Sequence, residues 1–209
     1  MDSASQALRV LGKRYRGSGD THLSTVEDTL LATLMSARST DKQTLAAFPR
    51  FRKAFPTWKS LAKARWQEIA ATIDTIGLYK QKARAIHGLA NMILEEFDGN
   101  VPSTMEDLVR LPGVGRKTAS VVLSLWFGKP AIAVDTHVFR IVHRLGWSKG
   151  KTPERVERDL KRVVPEKLWS EINRVMVPFG RDVCIARTPQ CWRCPVAKWC
   201  AYPHKTPAP

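Results

Sequence analysis

The 209-residue sequence has no long hydrophobic run, few acidic residues and only four cysteines. Its longest apolar run, VVLSLWF at 121–127, is far shorter than the roughly 20 residues of a membrane-spanning helix, so we expect no membrane association. The N-terminal segment has charges among its apolar residues, which argues against a secretory signal. Because 44% of the residues are hydrophobic, intrinsic disorder is also disfavoured. We expect a soluble intracellular protein of one large domain or two small ones.

The shortage of acidic residues leaves a large positive charge. With 34 Lys and Arg against 19 Asp and Glu, the formal net charge is +15. Such a surplus typically replaces counterions along a polyanion, either nucleic acid or an anionic membrane surface, although a merely soluble basic surface is the simpler alternative. Basic residues gather at 101–150, where seven accompany three acids, and from Arg181 onward, where five accompany one.

Alternating polar and apolar residues of the kind found in β-hairpins are also missing, whereas helical spacing recurs along the chain, so we predict an all-α fold. Capping boxes mark two helix starts, at Ser24 with Glu27 and at Ser103 with Glu106. A third helix should begin at Thr152-Pro153, since threonine is a good N-cap and proline suits the first helical position. Its predicted buried stripe comprises Val156, Leu160 and Val163.

The segment EDLVRLPGVGRKTASVVLSL predicts two helices joined by a tight turn, LPGVG at 111–115. Gly113 and Gly115 permit backbone geometries and close approaches that a Cβ would hinder. The backbone of Gly113, Val114 and Gly115, with Arg116 at the start of the second helix, would present N–H groups to a phosphate. A plain helix–helix connection is the simpler interpretation of the glycines alone. The whole string resembles the helix-hairpin-helix of DNA-repair proteins.

Two ionisable residues near this motif are candidates for catalysis. Lys117 lies in the first turn of the second helix, where the helix dipole and the neighbouring Arg116 favour a neutral, nucleophilic amine. A lysine that contacts phosphate explains the residue equally simply. Asp135 follows the apolar AIAV segment and precedes a helical apolar stripe, so it is most simply a helix N-cap. The stripe comprises Val138, Ile141, Val142 and Leu145. Capping keeps a carboxylate ionised, which also suits stabilisation of positive charge.

All four cysteines lie within seventeen residues near the C-terminus: Cys184, Cys191, Cys194 and Cys200. Such clustering in an intracellular protein favours a metal centre over disulfides. Four thiolates suit either a tetrahedral zinc ion or a [4Fe–4S] cluster, and the spacing alone does not decide between them.

Together LPGVGRKTA, AVDTH and the cysteine spacing C-x6-C-x2-C-x5-C resemble endonuclease III, a family of bifunctional DNA glycosylases and abasic-site lyases. The resemblance runs from about Leu31 to Cys200 and implies two all-α lobes. One would be a six-helix barrel at 21–130 that includes the helix-hairpin-helix at about 104–124. The other would be an iron–sulfur domain at 131–209, completed by an N-terminal helix at 1–20, with DNA lying across the cleft between the lobes.

The resemblance also implies the chemistry. In that family the residue matching Lys117 attacks C1′ of a damaged nucleoside, displaces the base and forms a Schiff base, after which β-elimination cuts the strand. The residue matching Asp135 assists the lysine and stabilises positive charge. The cysteines would hold a [4Fe–4S] cluster that orders a basic loop, from which Arg187 and Arg193 could contact DNA. We expect a monomer that acts at the nucleoid on double-stranded DNA containing oxidised pyrimidines or abasic sites.

Two further residues would fill the gap left by an extruded base. By resemblance, Leu78 in TIGLY is an apolar wedge, and Arg38 in LMSARSTD stands where the family usually has glutamine. Arginine is longer, is charged and is a poorer mimic of an amide that pairs with the orphaned base. We therefore hypothesise an altered opposite-base preference, or weaker glycosylase activity with lyase activity retained.

Three alternatives remain open on the sequence. The first is a mismatch-directed glycosylase on the same scaffold, although such relatives typically lack the lysine at the position of Lys117 and have an additional C-terminal domain. The second is a catalytically weakened relative that mainly binds abasic or damaged DNA. The third is a zinc-stabilised binding module.

Overall fold

The computed structural model describes residues 2–15 and 23–209. Within these ranges the regular structure is helical and no β-strand occurs, which confirms the all-α class. The α-helices are α1 (Ser3–Tyr15), α2 (Val26–Ser36), α3 (Asp41–Ala54), α4 (Trp58–Lys63), α5 (Trp66–Thr72), α6 (Tyr79–Glu96), α7 (Met105–Arg110), α8 (Arg116–Trp126), α9 (Thr136–Leu145), α10 (Pro153–Val163) and α11 (Trp169–Asp182). None of these described helices combines the length and apolar character needed to span a bilayer.

The chain divides into two compact units. Leu23–Phe127 forms one, here called the hairpin unit, and Met1–His22 with Gly128–Pro209 forms the other, here called the cysteine unit. The boundary expected between residues 20 and 21 lies in the segment 16–22, outside the described residues.

The core of the hairpin unit is built around α6, against which α2, α4 and α5 pack. Ile86, Leu89 and Ile93 on this helix are fully buried, because residues three and four apart share one helical face. Gly99 follows the helix with φ of +80°, and its N–H donates to the carbonyl oxygen of Ile93, which ends the helix in a left-handed turn.

The core of the cysteine unit joins the two ends of the chain. Helix α1 packs on α11, and α11 packs on α9. The apolar stripe predicted after Asp135 is confirmed, since Val138, Ile141 and Val142 are fully buried. Leu11 of α1 belongs to the same core, so residues far apart in sequence stabilise this unit together.

Both predicted capping boxes are wrong by one residue. The N-cap of α2 is Thr25, whose hydroxyl accepts a hydrogen bond from the N–H of Asp28 at 3.1 Å. The N-cap of α7 is Thr104, which accepts from the N–H of Asp107 at 3.1 Å. Each site has Ser-Thr followed three residues later by Glu-Asp, so two registers satisfy the capping pattern, and the structure uses the second.

The start of α10 is confirmed, but its buried stripe is partly wrong. Thr152 caps the helix and Pro153 is its first residue. Val156 and Leu160 are fully buried, whereas Val163 is 38% exposed and Val164 is buried instead. The helix ends at Val163 and the chain becomes extended at the next residue, which turns the Val164 side chain into the core.

Candidate functional site

The hairpin turn between α7 and α8 depends on a glycine at position 113. Its φ of +78° is strained for any residue with a Cβ. A Cβ at Gly113 would also lie 2.8 Å from the Cβ of Ala85 and 3.2 Å from Cδ1 of Leu34. The turn therefore packs closely against α6. A Cβ at Gly88 of that helix would lie 3.4 Å from Cγ of Pro112 in the turn.

The second glycine of the turn has a different role. Gly115 is the N-cap of α8 with φ of −93°, an ordinary value, and a Cβ there would meet nothing within 4 Å. Gly115 has no side chain to cap this helix, so the positive end of the helix dipole lies at the turn without a capping side chain. The side chain of Val114 is buried, so this residue can offer a ligand its backbone. An anion such as phosphate fits this arrangement.

Lys117 is the second residue of α8, and its side chain is exposed. The ion pairs found among the described residues do not include it. Thr118, Ala119 and Ser120, which follow it, are all buried, so the lysine projects from a well-packed helical turn. An exposed amine that no carboxylate holds is available to a substrate at the hairpin.

Asp135 is the N-cap of α9, as its position in the sequence predicts. Its carboxylate accepts a hydrogen bond from the N–H of Val138 at 2.8 Å, and its carbonyl oxygen accepts from the N–H of Phe139 at 2.8 Å. The preceding segment 131–134 is buried, and the N–H of Ala133 donates to Oδ1 of Asn173 on α11 at 3.0 Å. Asp135 is therefore held at the end of a fixed segment while its side chain stays partly exposed.

The two residues predicted to fill a gap in DNA share one backbone feature. Arg38 has φ of +54° and Leu78 has φ of +58°, both in the left-handed region that residues other than glycine rarely adopt. Arg38 is exposed, and 49% of the Leu78 surface is accessible. Such strain persists only where the surroundings impose it, and it clusters at binding sites.

The four cysteines line one pocket of the cysteine unit, together with Ile141, Phe179 and Val183. Within the described part of the chain, no three His, Cys, Asp or Glu side chains are close enough to hold one metal ion. Four cysteine sulfurs around one pocket match the donor set that holds a [4Fe–4S] cluster. Burial raises the pKa of the Cys194 thiol to about 11, so ligation must compensate for the cost of its charged form.

Two arginines of α9 surround the first cysteine of the cluster motif. Arg140 donates through Nε to the carbonyl oxygen of Cys184 at 3.0 Å. Arg144 lies 3.3 Å from Sγ of Cys184 through Nη1, and it donates to the carbonyl oxygens of Ile185 and Ala186 at 2.8 and 2.7 Å. These positive charges would offset the negative charge of a thiolate-ligated cluster and tie the loop to α9.

The two arginines predicted to contact DNA from the cysteine loop differ in their surroundings. Arg187 is exposed. Arg193 is also exposed, but it donates to Oδ1 of Asp182 at 2.6 Å and to its carbonyl oxygen at 2.8 Å. The Tyr15 hydroxyl donates to Oδ2 of Asp182 at 2.6 Å, and together with Arg193 it lowers the pKa of that carboxyl. Arg193 therefore anchors the loop to the end of α11 near α1.

Sequence reasoning overlooked Ser39 and Lys82. Lys82 is only 6% exposed, and its Nζ donates to Oγ of Ser39 and to the carbonyl oxygen of Met35. The available signal was its spacing: Lys82 lies four residues before Ile86, on the same helical face as Leu89 and Ile93, which are buried. Nothing in the pattern identified Ser39 as its partner.

Comparisons with known proteins agree with this geometry. The chain matches the family described as HhH-GPD superfamily base excision DNA repair protein over residues 31–166, and the iron–sulfur binding domain of endonuclease III over residues 184–200. It is 43% identical to endonuclease III of Thermotoga maritima, over 83% of this chain and 81% of that protein. Identity to endonuclease III of Synechocystis sp. is 41%, over 94% of this chain and 91% of the relative.

Solved structures give the same result. A trapped covalent intermediate of endonuclease III with DNA, described as an estranged-adenine complex, superposes with a TM-score of 0.88 at 35% identity, with 96% of each chain covered. A thermostable thymine-DNA glycosylase superposes with a TM-score of 0.83 over 98% of this chain and all of that chain, but at 24% identity it shows only the shared fold.

Proposed function

The chain belongs to the endonuclease III family of the HhH-GPD superfamily, and we propose that Lys117 and Asp135 perform the chemistry of this base-excision DNA glycosylase and abasic-site lyase. The observation that carries the proposal is the exposed Lys117 amine, placed one residue after the uncapped start of α8 at the hairpin turn. A DNA backbone held at that turn would lie beside the amine.

The reaction proceeds from the unprotonated amine. Nζ of Lys117 attacks C1′ of the damaged nucleoside, a C–N bond to the lysine forms, and the bond from C1′ to the base breaks. The base leaves with a proton, and loss of a lysine proton with opening of the sugar ring gives the iminium form of a Schiff base. Removal of a proton from C2′ then expels the phosphate at C3′, which cuts the strand on the 3′ side of the lesion.

Asp135 stabilises the positive charge that develops on the sugar and on the lysine nitrogen. Its carboxylate accepts a hydrogen bond from the Val138 N–H at the start of α9, which fixes the orientation of the side chain. The same carboxylate thus caps α9 and stabilises positive charge during the reaction.

The DNA backbone is gripped at two places. The N–H groups at Gly113, Val114 and Gly115, with Arg116, bind phosphate at the hairpin independently of sequence. Arg187 adds a contact from the cysteine loop, whereas Arg193 contributes less because Asp182 holds its guanidinium. We propose that the protein acts as a monomer at the nucleoid, since all of these groups belong to one chain.

A [4Fe–4S] cluster fits the iron–sulfur domain at the C-terminal cysteines, and when bound it would order the cysteine loop. We propose that Cys184, Cys191, Cys194 and Cys200 are its ligands, because they line one cavity. A cluster held by these four residues would cross-link the cysteine loop. Arg140 and Arg144 then hold the loop carbonyls against α9.

Arg38 and Leu78 occupy the gap left by the extruded nucleotide. The apolar Leu78 stacks in the duplex, and the charged Arg38 faces the orphaned base. The guanidinium donates two hydrogen bonds to the acceptors of guanine, so arginine favours guanine at this position more than a glutamine amide does. Replacing Arg38 with glutamine should shift the ranking of opposite bases on thymine-glycol duplexes. An unchanged ranking with unchanged activity contradicts this role.

The substrates are oxidised pyrimidines and abasic sites in double-stranded DNA. A panel of duplexes containing thymine glycol, 5-hydroxycytosine, an abasic site or an A·G mismatch tests this specificity. We expect base release followed by strand cleavage on the first two and strand cleavage alone on the abasic duplex, each leaving a 3′-unsaturated aldehyde end. Release of adenine from the mismatch, without action on thymine glycol, would instead indicate the mismatch-directed alternative.

A further inference from the structure

The buried Lys82 has no carboxylate partner among the described residues; its hydrogen bonds run to a carbonyl and a hydroxyl. Nζ donates to the carbonyl oxygen of Met35 at 2.7 Å and to Oγ of Ser39 at 2.9 Å. Met35 lies in the last turn of α2, where carbonyl groups have no partner within the helix and the dipole is negative. The ammonium group therefore caps the end of one helix from the first turn of another.

The same Ser39 hydroxyl also fixes a second loop. Its Oγ accepts a hydrogen bond from the N–H of Gly77 at 2.9 Å. The two backbones are so close that a Cβ at Gly77 would lie 2.6 Å from the carbonyl oxygen of Arg38. We call the group formed by Met35, Ser39, Gly77 and Lys82 the loop junction.

The loop junction lies directly beside both left-handed residues. Arg38 precedes Ser39 in one loop, and Leu78 follows Gly77 in the other. The carbonyl oxygen of Leu78 in turn accepts from the N–H of Lys82 at 3.0 Å, the first hydrogen bond of α6. Lys82 therefore contacts both loops: its ammonium binds Ser39, the neighbour of Arg38, and its backbone N–H binds the carbonyl oxygen of Leu78.

We propose that Lys82 is a positioning residue that holds Arg38 and Leu78 in the conformation that enters a gap in damaged DNA. This rests on the proposed function, in which those two side chains occupy the gap. Lys82 cannot itself reach a sugar carbon, because it is 6% exposed and its ammonium is engaged on two oxygens. Its effect is exerted through the two loops.

The test uses the complete protein with its cluster and a duplex that needs no catalysis. The duplex contains a tetrahydrofuran abasic analogue opposite 2-aminopurine, whose fluorescence rises when the orphaned base is unstacked. Lys82→Met and Ser39→Ala each break the loop junction, and Ser39→Ala removes a single hydroxyl. Lys80→Met is the matched control, since it removes the same charge from the same turn of α6 at an exposed position.

We expect both junction variants to reduce the fluorescence rise at saturating protein and to weaken binding about tenfold, because a buried hydrogen bond to a charged group no longer selects the competent loop conformation. Lys80→Met should keep the full fluorescence rise. In a Leu78→Ala background, Lys82→Met should add less than about a twofold change, since coupled residues are non-additive.

Three outcomes overturn the proposal: junction variants that behave like the unsubstituted protein, effects that multiply fully with Leu78→Ala, or a fluorescence loss equally large in Lys80→Met. If Lys82→Met loses its helical circular dichroism, Ser39→Ala alone decides the question. Absence of any fluorescence rise with the unsubstituted protein would refute the placement of Arg38 and Leu78 in the gap. That result separates failure of the proposed function from failure of the role of Lys82.

Discussion

Arg193 is bound to Asp182 through both a carboxylate oxygen, at 2.6 Å, and the backbone carbonyl oxygen, at 2.8 Å. Both arginines of the cysteine loop are exposed, but the Arg193 guanidinium uses two N–H groups on Asp182, which are then not available to a phosphate. The two arginines, equivalent on the sequence, should differ in function.

We predict that Arg187→Ala weakens binding to an abasic-analogue duplex and lowers the slope of log affinity against log salt by about one, because one phosphate contact is lost. Arg193→Ala should change that slope less and should lower the melting temperature more. Fluorescence anisotropy titrations at several salt concentrations and thermal unfolding measure the two effects. Equal salt slopes for the two variants would contradict the distinction.

Substitutions of the two hairpin glycines should have different effects on stability and on DNA binding. Gly113→Ala should destabilise the protein by about 1–3 kcal/mol, since it adds backbone strain and contacts Ala85 too closely. Gly115→Ala should cost less than about 1 kcal/mol, because its Cβ meets open space. It should nevertheless weaken DNA binding, since the methyl group obstructs the approach of phosphate to the start of α8.

Urea unfolding and DNA titrations on both variants check this pair. Full DNA affinity in Gly115→Ala would show that the hairpin turn is not the phosphate site. A stable Gly113→Ala protein would show that the turn adapts to a side chain.

Asp135 combines a structural and a chemical role that two substitutions can separate. Asparagine caps helices as well as aspartate does, so Asp135→Asn should keep stability while lowering the rate of base release by about 10²–10⁴-fold. Asp135→Ala should lose the rate and also about 1 kcal/mol of stability. Single-turnover kinetics and thermal unfolding give the two readouts. A near-normal rate of base release in Asp135→Asn would show that Asp135 only caps the helix and has no role in the chemistry.

The stability of the protein should respond to the titration of Lys82. Burial lowers the pKa of this lysine from 10.5 to about 8 in the folded protein. Between these values the unfolded chain binds a proton that the folded protein has released, so stability from this group rises with pH. The free energy of unfolding of the unsubstituted protein should therefore rise relative to that of Lys82→Met from pH 8 to 10.5, and the difference should be constant below pH 8. A difference independent of pH throughout would contradict the shifted pKa.

Local signals predicted helices well and their contacts less well. The stripe Val138, Ile141 and Val142 and the N-caps Asp135 and Thr152 followed from spacing and residue type, because both depend on a few neighbouring residues. At Ser24-Thr25 two capping registers were chemically equivalent, and only packing of the following helix selects one. The pairing of Arg193 with Asp182 depends on tertiary structure and left no local pattern.

The catalytic candidates were accessible to sequence reasoning for a different reason. The turn that presents Lys117 is short and needs glycine at position 113. A few consecutive residues therefore suffice to identify it in the sequence. The loop junction around Lys82 joins segments about forty residues apart, and its central group is an ordinary serine. Such a contact becomes visible only when the fold is known.

Borohydride reduction during incubation with an abasic duplex tests the central claim most directly, because it converts a Schiff base into a stable covalent bond. We predict an adduct whose peptide map places the DNA remnant on Lys117, and none above background in Lys117→Gln. Lys149→Gln, which removes the same charge from an exposed position in the cysteine unit, should trap normally. An adduct that persists in Lys117→Gln at the original yield, or maps to another amine, would contradict the assignment.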